Sequence, residues 1–369
     1  MKFREFIDLL DEKGYLRKID HCVNWKYEIG QIARSCKSRP LLFENISDYH
    51  GCRLFTGGLS RIEFMAINMG MKLPVSRNIL AKQIVARLRN PIVPLHSSNC
   101  FQNYTKKTKN INLNELPVPW WNQLDGGRYI GTWHLNITHD PFTGKRNAGI
   151  YRMQIIDKNL TTVSVSSNSH LAKHFNNAEK MGRDLEMAVA IGVDEVQIIA
   201  AAAAVPYGYD EFSFAGALQQ KPVMLQHCEM VNIEVPIESE YVLEGKIKKG
   251  VRVKDGPFMD YSGRPGVNPA AYLFEVNGVF IRKDAIFRGM AVGEPGAEDH
   301  LLFSLLSSSN LVDFHGSSAR QLVQNIFLKH RMFSLFQFSA RMGSLIGCCS
   351  RSVNKAFPME TNKKTGEMK

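Results

Sequence analysis

The sequence predicts an α+β protein: an N-terminal α/β region, a β-rich middle with helices inserted, and a tail that continues neither pattern. Three observations carry that expectation. Apolar residues recur at helical spacing near the start, as at Phe3, Phe6, Ile7 and Leu10. Short runs rich in β-branched and aromatic residues, bounded by turn residues, dominate from Trp133 onward. No Gly-rich phosphate loop joins a strand to a helix, so P-loop and Rossmann readings lack their main signature.

Taken in order, residues 1–50 read as an opening helix, a turn at Gly14, a second helix over about 25–36 and a strand at 40–43. Helices follow at 62–69 and 79–88. The Pro-rich passage 114–119 reads as a boundary. Beyond it, 133–138, 149–156 and 161–167 have strand composition, with turns at Thr143-Gly144 and at Asp157-Lys158-Asn159. Residues 177–190 read as an amphipathic helix and 196–204 as a buried strand. A helix is expected over 211–218, capped by Asp210. Strands are expected in 223–235 and 274–287, and a helix at 301–306. After His315 apolar and basic residues mix without pattern, and 354–369 is polar enough to expect disorder.

Composition excludes several classes. With 369 residues, 44% hydrophobic and 22% charged, the chain reads as a globular protein large enough for two or three domains. Glu5, Asp8, Asp11 and Glu12 interrupt any N-terminal apolar run, so a signal peptide is not expected; neither is a membrane span, and the chain is placed in the cytoplasm. Seven cysteines without C-x-x-C spacing suggest neither a disulfide framework nor a zinc site. The formal charge of +11 is dispersed, with no basic block interleaved with aromatics. It suits a surface attracting small anions better than a nucleic-acid partner. G-x-S-x-G is absent, which removes the simplest serine-hydrolase reading.

What remains is a set of polar residues beside predicted strands. Asn147 precedes Gly149-Ile150-Tyr151-Arg152, where the glycine permits close backbone approach to a ligand. Arg152 carries a planar fork suited to a carboxylate or phosphate; alone, it reads more readily as a surface ion pair. His170 and His174 stand four apart, a spacing that chelates a metal on a helix but more often pairs one ordered and one exposed histidine. Glu211 in a first helical turn is well placed by the helix dipole in any case. Asp255 and Asp260 flank a Gly-Pro step that can aim both at one pocket, or simply make a surface turn, which spacing slightly favours.

Taken together, these residues resemble the UbiD family of decarboxylases. The matching text includes Leu124-Asp125-Gly126-Gly127-Arg128-Tyr129-Ile130, Asn136-Ile137-Thr138-His139-Asp140-Pro141 and Asn147-Ala148-Gly149-Ile150-Tyr151-Arg152-Met153-Gln154. Further on come Phe214-Ala215-Gly216-Ala217-Leu218, Glu234-Val235-Pro236, Leu243-Glu244-Gly245, Asp255-Gly256-Pro257-Phe258 and Glu298-Asp299. Several motifs in order over residues 1–302 are far more specific than any one.

The resemblance implies a split β-barrel, flavin-reductase-like core over 116–302, an N-terminal α/β domain over 1–115, and a truncated or divergent tail over 303–369 in place of the family's C-terminal α/β domain. It implies prenylated FMN supplied by a flavin prenyltransferase, Mn²⁺ or Mg²⁺ held by Asn147, His170 and Glu211, and K⁺ held by carbonyls of the 200–204 run with Glu211. Cofactor contacts fall at Asn147, Ile150, Tyr151, Arg152, Ser164, Val165, Ser166, Ser169 and His170. The catalytic trio becomes Arg152, Asp255 and Asp260: Arg152 orients the substrate carboxylate, Asp260 protonates carbon, and Asp255 positions Arg152 and tunes that acid. The implied reaction is non-oxidative decarboxylation of an aromatic or α,β-unsaturated acid, able to run in either direction, by a homo-oligomer. Two residues depart from the family pattern, Asp255 where Glu is usual and Met259 where Gly is usual. Two rival readings are a flavin-binding helper subunit and an ordinary FMN-binding oxidoreductase.

Overall fold

The apolar spacing at the start is realised as α1 (Phe3–Glu12), which buries Phe3, Phe6, Ile7 and Leu10. A computed structural model describes residues 1–98, 101–293 and 296–308; the expectations for the stretch after His315 and for 354–369 lie outside the described residues. Gly14 turns the chain at φ +68°. β1 (Arg17–Ile19), α2 (Glu28–Ser35), β2 (Leu41–Phe43) and β3 (Arg53–Thr56) follow. Helix α2 begins later than predicted because Tyr27 holds φ 72°, outside the helical region. Then come α3 (Ile62–Asn68), α4 (Arg77–Leu88) capped by Ser76, β4 (Leu95–His96) and β5 (Tyr104–Lys107).

The middle region runs β6 (Tyr129–Gly131), β7 (His134–His139), β8 (Arg146–Gly149), β9 (Met153–Gln154) and β10 (Leu160–Val163). The strand expected over 149–156 is therefore broken, and Ile150 to Arg152 leave the ladder. The helix expected over 177–190 is instead the end of α5 (His170–Lys180) followed by β11 (Leu185–Ile191). Gly182, at φ +73°, ends the helix, and pairing with β7 and with the later Tyr241–Met259 strand makes 185–191 a central strand. The opposite error occurs next. The predicted strand over 196–204 is helix α6 (Glu195–Ala201), since a short apolar run reads either way and its alanines favour helix.

The remaining elements are α7 (Glu211–Gln219), β12 (Met224–His227), β13 (Glu234–Pro236), β14 (Tyr241–Met259), β15 (Pro265–Arg282), β16 (Ile286–Arg288) and α8 (Glu298–Ser308). As expected, the Asp210 carboxylate caps α7, accepting from Phe212 N–H at 3.2 Å. The long strands β14 and β15 anchor a seven-stranded antiparallel sheet ordered β10-β15-β14-β11-β7-β8, with β5 also on β15. Register shifts along β14, at Glu244/Gly245 and again between Val253 and Phe258, bend it. The result is a mixed α/β fold with a curled antiparallel half-barrel sheet. Smaller sheets are β1-β2-β3-β16 and β13-β12-β4, with the pair β6-β9. Among the described residues no helix is long and apolar enough to cross a membrane.

One glycine tests the bend. A Cβ on Gly245 would stand 2.0 Å from the Glu275 carbonyl oxygen of the neighbouring strand. Gly245→Ala is expected to cost about 1–3 kcal/mol, read as a lower urea midpoint at unchanged slope. An unchanged midpoint would show that the two strands separate there without strain.

Candidate functional site

Two helices begin beside one sheet strand. On β8, Asn147 is buried, and its amide nitrogen has no hydrogen-bond partner among the described residues. Helix α5 starts at His170, with Ser169 as cap accepting from Ala172 N–H at 3.2 Å. Helix α7 starts at Glu211, whose Oε1 lies 3.8 Å from His170 Nδ1. Its Oε2 accepts from the Ala148 N–H on β8 at 2.9 Å. Burial pushes the Glu211 carboxyl up, against the opposing pull of His170 and Ala148 N–H. The donor set is thus one amide, one imidazole and one desolvated carboxylate.

Tyr151 closes this cluster on one side. Its ring lies over Gly149, where a Cβ would meet Tyr151 Cε2 at 2.6 Å, so a side chain there would displace the ring. Its N–H donates to Asn136 Oδ1 at 3.1 Å, which holds the chain after it leaves β8. His174 lies one turn beyond His170, with its Nε2 unpartnered among the described residues. It is buried, with Nδ1 2.9 Å from Thr138 Oγ1, and burial lowers its pKa to about 4.

The next residue along brings in the second group. Arg152 Nε and Nη2 lie 2.7 and 2.5 Å from Asp255 Oδ1. Asp255 is fully buried, and its Oδ2 accepts from Thr162 Oγ1 at 2.7 Å. The surface-turn reading therefore fails for Asp255: the Gly256-Pro257 step lies within β14, not on an exposed hairpin. The shorter aspartate still reaches the guanidinium. Asp260 stands across Gly266, where an added Cβ would be 3.0 Å from Asp260 Oδ2 and 3.7 Å from Arg152 Nη1. Ser262 donates to Asp260 Oδ1 through both N–H and hydroxyl, at 2.8 and 2.6 Å, leaving Oδ2 on the Arg152 side. Helix α8 flanks this corner, its His300 ring stacked on Tyr261 at 4.1 Å.

The other residues singled out in the sequence lie along the same path. Ser164 N–H donates to the Arg152 carbonyl at 3.0 Å, and its hydroxyl accepts from Asn268 at 3.1 Å. Ile150 and Val165 are half-buried, while Ser166 is exposed. Thus His170 and Glu211 meet, Asn147 lies next to Ala148 on the strand that Glu211 contacts, Arg152 and Asp255 pair, and Asp260 faces them.

Three contributors carried no assigned role in the sequence reading. Thr162 orients Asp255, and Phe258 places its ring 5.2 Å below the Arg152 guanidinium. Asp125 is buried and accepts from Met259 N–H at 2.7 Å, next to Asp260, with burial pushing its pKa up to about 6. Asp125 and Phe258 stood in the motifs that carried the resemblance; for Thr162 no local signal existed.

Comparison with known proteins shows the family to which the chain belongs. Residues 92–295 match the model described as the 3-octaprenyl-4-hydroxybenzoate carboxy-lyase Rift-related domain, and residues 7–88 match the N-terminal domain of the same carboxy-lyase. A phenolic acid decarboxylase of Bacillus subtilis is 30% identical over 313 residues, covering 80% of this chain and 65% of that protein. An anhydromevalonate phosphate decarboxylase of Methanothermobacter thermautotrophicus is 30% identical over 302 residues, covering 82% and 68%. The chain thus spans about two thirds of the length of these curated relatives. Among solved structures, an evolved dimeric form of the UbiD-class enzyme HmfF from Pelotomaculum thermopropionicum, in complex with prFMN, superposes with a TM-score of 0.78 at 30% identity. That match covers 85% of this chain and 72% of HmfF. With more than half its length matched by the family's own model, the chain belongs to the UbiD family of carboxy-lyases.

Proposed function

We propose that this chain carries out non-oxidative decarboxylation of an aromatic or α,β-unsaturated carboxylic acid with prenylated FMN. The observation that carries the reading is the pair of Arg152 with the buried Asp255, facing Asp260, one residue along the chain from the Tyr151 wall of the Asn147–His170–Glu211 cluster. Two of its relatives are named decarboxylases, and the UbiD-class enzyme HmfF has been captured with prFMN and with FMN.

The cluster fits a divalent cation joined to a phosphate. Asn147 can offer its amide oxygen to a cation while its unpartnered Nδ2 suits an acceptor such as a phosphate oxygen, and Glu211 is a buried carboxylate with no lysine or arginine paired to it among the described residues. An oxygen-rich set with one imidazole suits Mn²⁺ or Mg²⁺. The 200–204 run closes α6 and, with Glu211, is the segment assigned to K⁺. In this reading the curled sheet is the split-barrel cofactor platform, and Ile150, Tyr151, Ser164, Val165, Ser166 and Ser169 line it.

Bound prenylated FMN supplies an electron sink for the pair released as CO₂ departs. Arg152 holds the substrate carboxylate through Nη1, because Nε and Nη2 are taken by Asp255. Asp255, fixed by Thr162, keeps the fork from rotating. Asp260, with Oδ2 turned toward Arg152, delivers a proton to the carbon that loses its carboxylate.

The test is co-expression with a flavin prenyltransferase, anaerobic purification with Mn²⁺ and K⁺, and a panel of aryl and acrylic acids. CO₂ release from at least one acid is expected, with a solvent proton at the vacated carbon. No release by a flavin-loaded chain would favour a helper subunit, and NAD(P)H-dependent reduction of plain FMN would favour an oxidoreductase. Glu211→Gln is expected to lower both Mn²⁺ and flavin occupancy by about tenfold or more, read by metal analysis and absorbance. Unchanged occupancy would remove Glu211 from the metal set.

A further inference from the structure

We infer that His96, His227 and Glu234 form a second, solvent-facing site for a first-row divalent cation of the Zn²⁺ or Ni²⁺ type. These residues sit on three adjacent strands of the β13-β12-β4 sheet, apart from the catalytic corner. Glu234 on β13 is the direct cross-strand partner of His227 on β12, and β4 lies along the other side of β12. The His96 and His227 rings stack with centroids 5.5 Å apart and planes 22° from parallel. One ligand atom from each of the three residues lies within 4.8 Å of the others.

The carboxylate is already oriented. Glu234 Oε2 is held by Arg146 Nη2 at 3.1 Å and by His139 Nε2 at 3.2 Å, while Oε1 faces His227 Nδ1 at 3.8 Å. One oxygen is thus anchored from behind and the other is presented to the two imidazoles. Outer contacts that fix a metal-binding carboxylate are a regular part of such sites. Two imidazoles with one carboxylate bind Zn²⁺ with a position left for water, and a nitrogen-majority set counts against Mg²⁺ and Ca²⁺. A bound ion would tie the two-residue strand β4 to β12 and β13. Arg146 continues the connection inward, since it also donates to the Asp210 cap of α7 at 3.2 and 3.3 Å.

This site stands independently of the flavin reading, and its test keeps the two apart. The full-length chain, purified without flavin, is titrated with Co²⁺ and then Zn²⁺, following the visible absorbance of Co²⁺ and its displacement. A saturable equivalent is expected in the wild type. It should weaken by about tenfold to a hundredfold or more in His96→Ala and in His227→Ala, and persist in Glu211→Gln. His227 is 57% exposed, so its removal should leave the thermal melt of the metal-free chain unchanged. Absence of saturable binding, or equal binding in the histidine variants, overturns the site. Loss of the equivalent in Glu211→Gln with retention in the histidine variants would place the ion at Asn147, His170 and Glu211 instead.

Discussion

Replacing Arg288 with methionine is expected to destabilise the chain by about 3–5 kcal/mol, lowering its melting temperature by roughly 5–8 °C. Arg288 is 1% exposed and lies between two buried carboxylates, with Nε 2.7 Å from Glu195 and Nη2 2.6 Å from Glu298. Trp133 Nε1 donates to the other Glu195 oxygen at 3.0 Å, and Gly57 and Leu59 N–H groups donate to Glu298 at 2.6 and 2.8 Å. The cluster therefore binds β16, α6, α8 and the loop after β3 into one unit. Methionine matches the length of the stem but leaves two desolvated carboxylates without their cation.

The sign of the pH dependence follows. Burial holds the Glu195 carboxyl above its ordinary 4.5, opposed chiefly by Arg288. A carboxyl raised on folding contributes stability that is present below its unfolded pKa and lost as pH rises through the folded one. Without Arg288 the rise is larger, so the deficit should grow as pH climbs above about 4.5. Urea melts at pH 5 and pH 8 would measure it. Equal deficits at both pH values would mean that lost packing, not lost charge, sets the cost.

Arg152→Lys is expected to lower decarboxylation kcat by about a hundredfold or more while leaving the fold intact. A lysine retains a positive charge for the buried Asp255 carboxylate, so the stability penalty is small. What it loses is the fork. Arg152 spends Nε and Nη2 on Asp255 and still directs Nη1 to the Gly266 corner where Asp260 Oδ2 stands. One ammonium cannot satisfy Asp255 and also hold a substrate carboxylate in line with Asp260. Steady-state kinetics on an acid turned over by the wild type would separate kcat from KM. A kcat within threefold of the wild type would show that the guanidinium only balances Asp255.

Much of the candidate site was legible because its residues stand in ordered local motifs. Asn147, Tyr151 and Arg152 come from one stretch, His170 follows a serine cap, and Glu211 follows Asp210; local rules alone gave Arg152 and Glu211 ordinary structural roles, and the resemblance gathered them into one set. Helices α1, α3 and α7 were equally readable from apolar spacing or caps. The failures share a cause. Residues 185–191 and 196–201 are both short apolar runs, and hydrophobicity without a resolved period does not choose between strand and helix. Neighbours chose: β7 and β14 claim the first run as a central strand, while the second closes on itself as a helix. The long strand β14 went unread because Gly245, Gly250 and its register shifts break the alternation that marks a strand.

By itself the sequence determined which residue types would be present and in what order: the motif series, the helix caps, and the apolar positions that had to be buried. Only the tertiary structure decided which of them meet. Thr162 reaches Asp255 across 93 positions, and Arg288 joins Glu195 across the same span. His96 stacks on His227 because β4 and β12 lie side by side in one sheet. The physical reason is the pairing of strands distant in sequence. Residue pattern tells a strand which face to bury, but backbone hydrogen bonding and register tell it which strand to lie against.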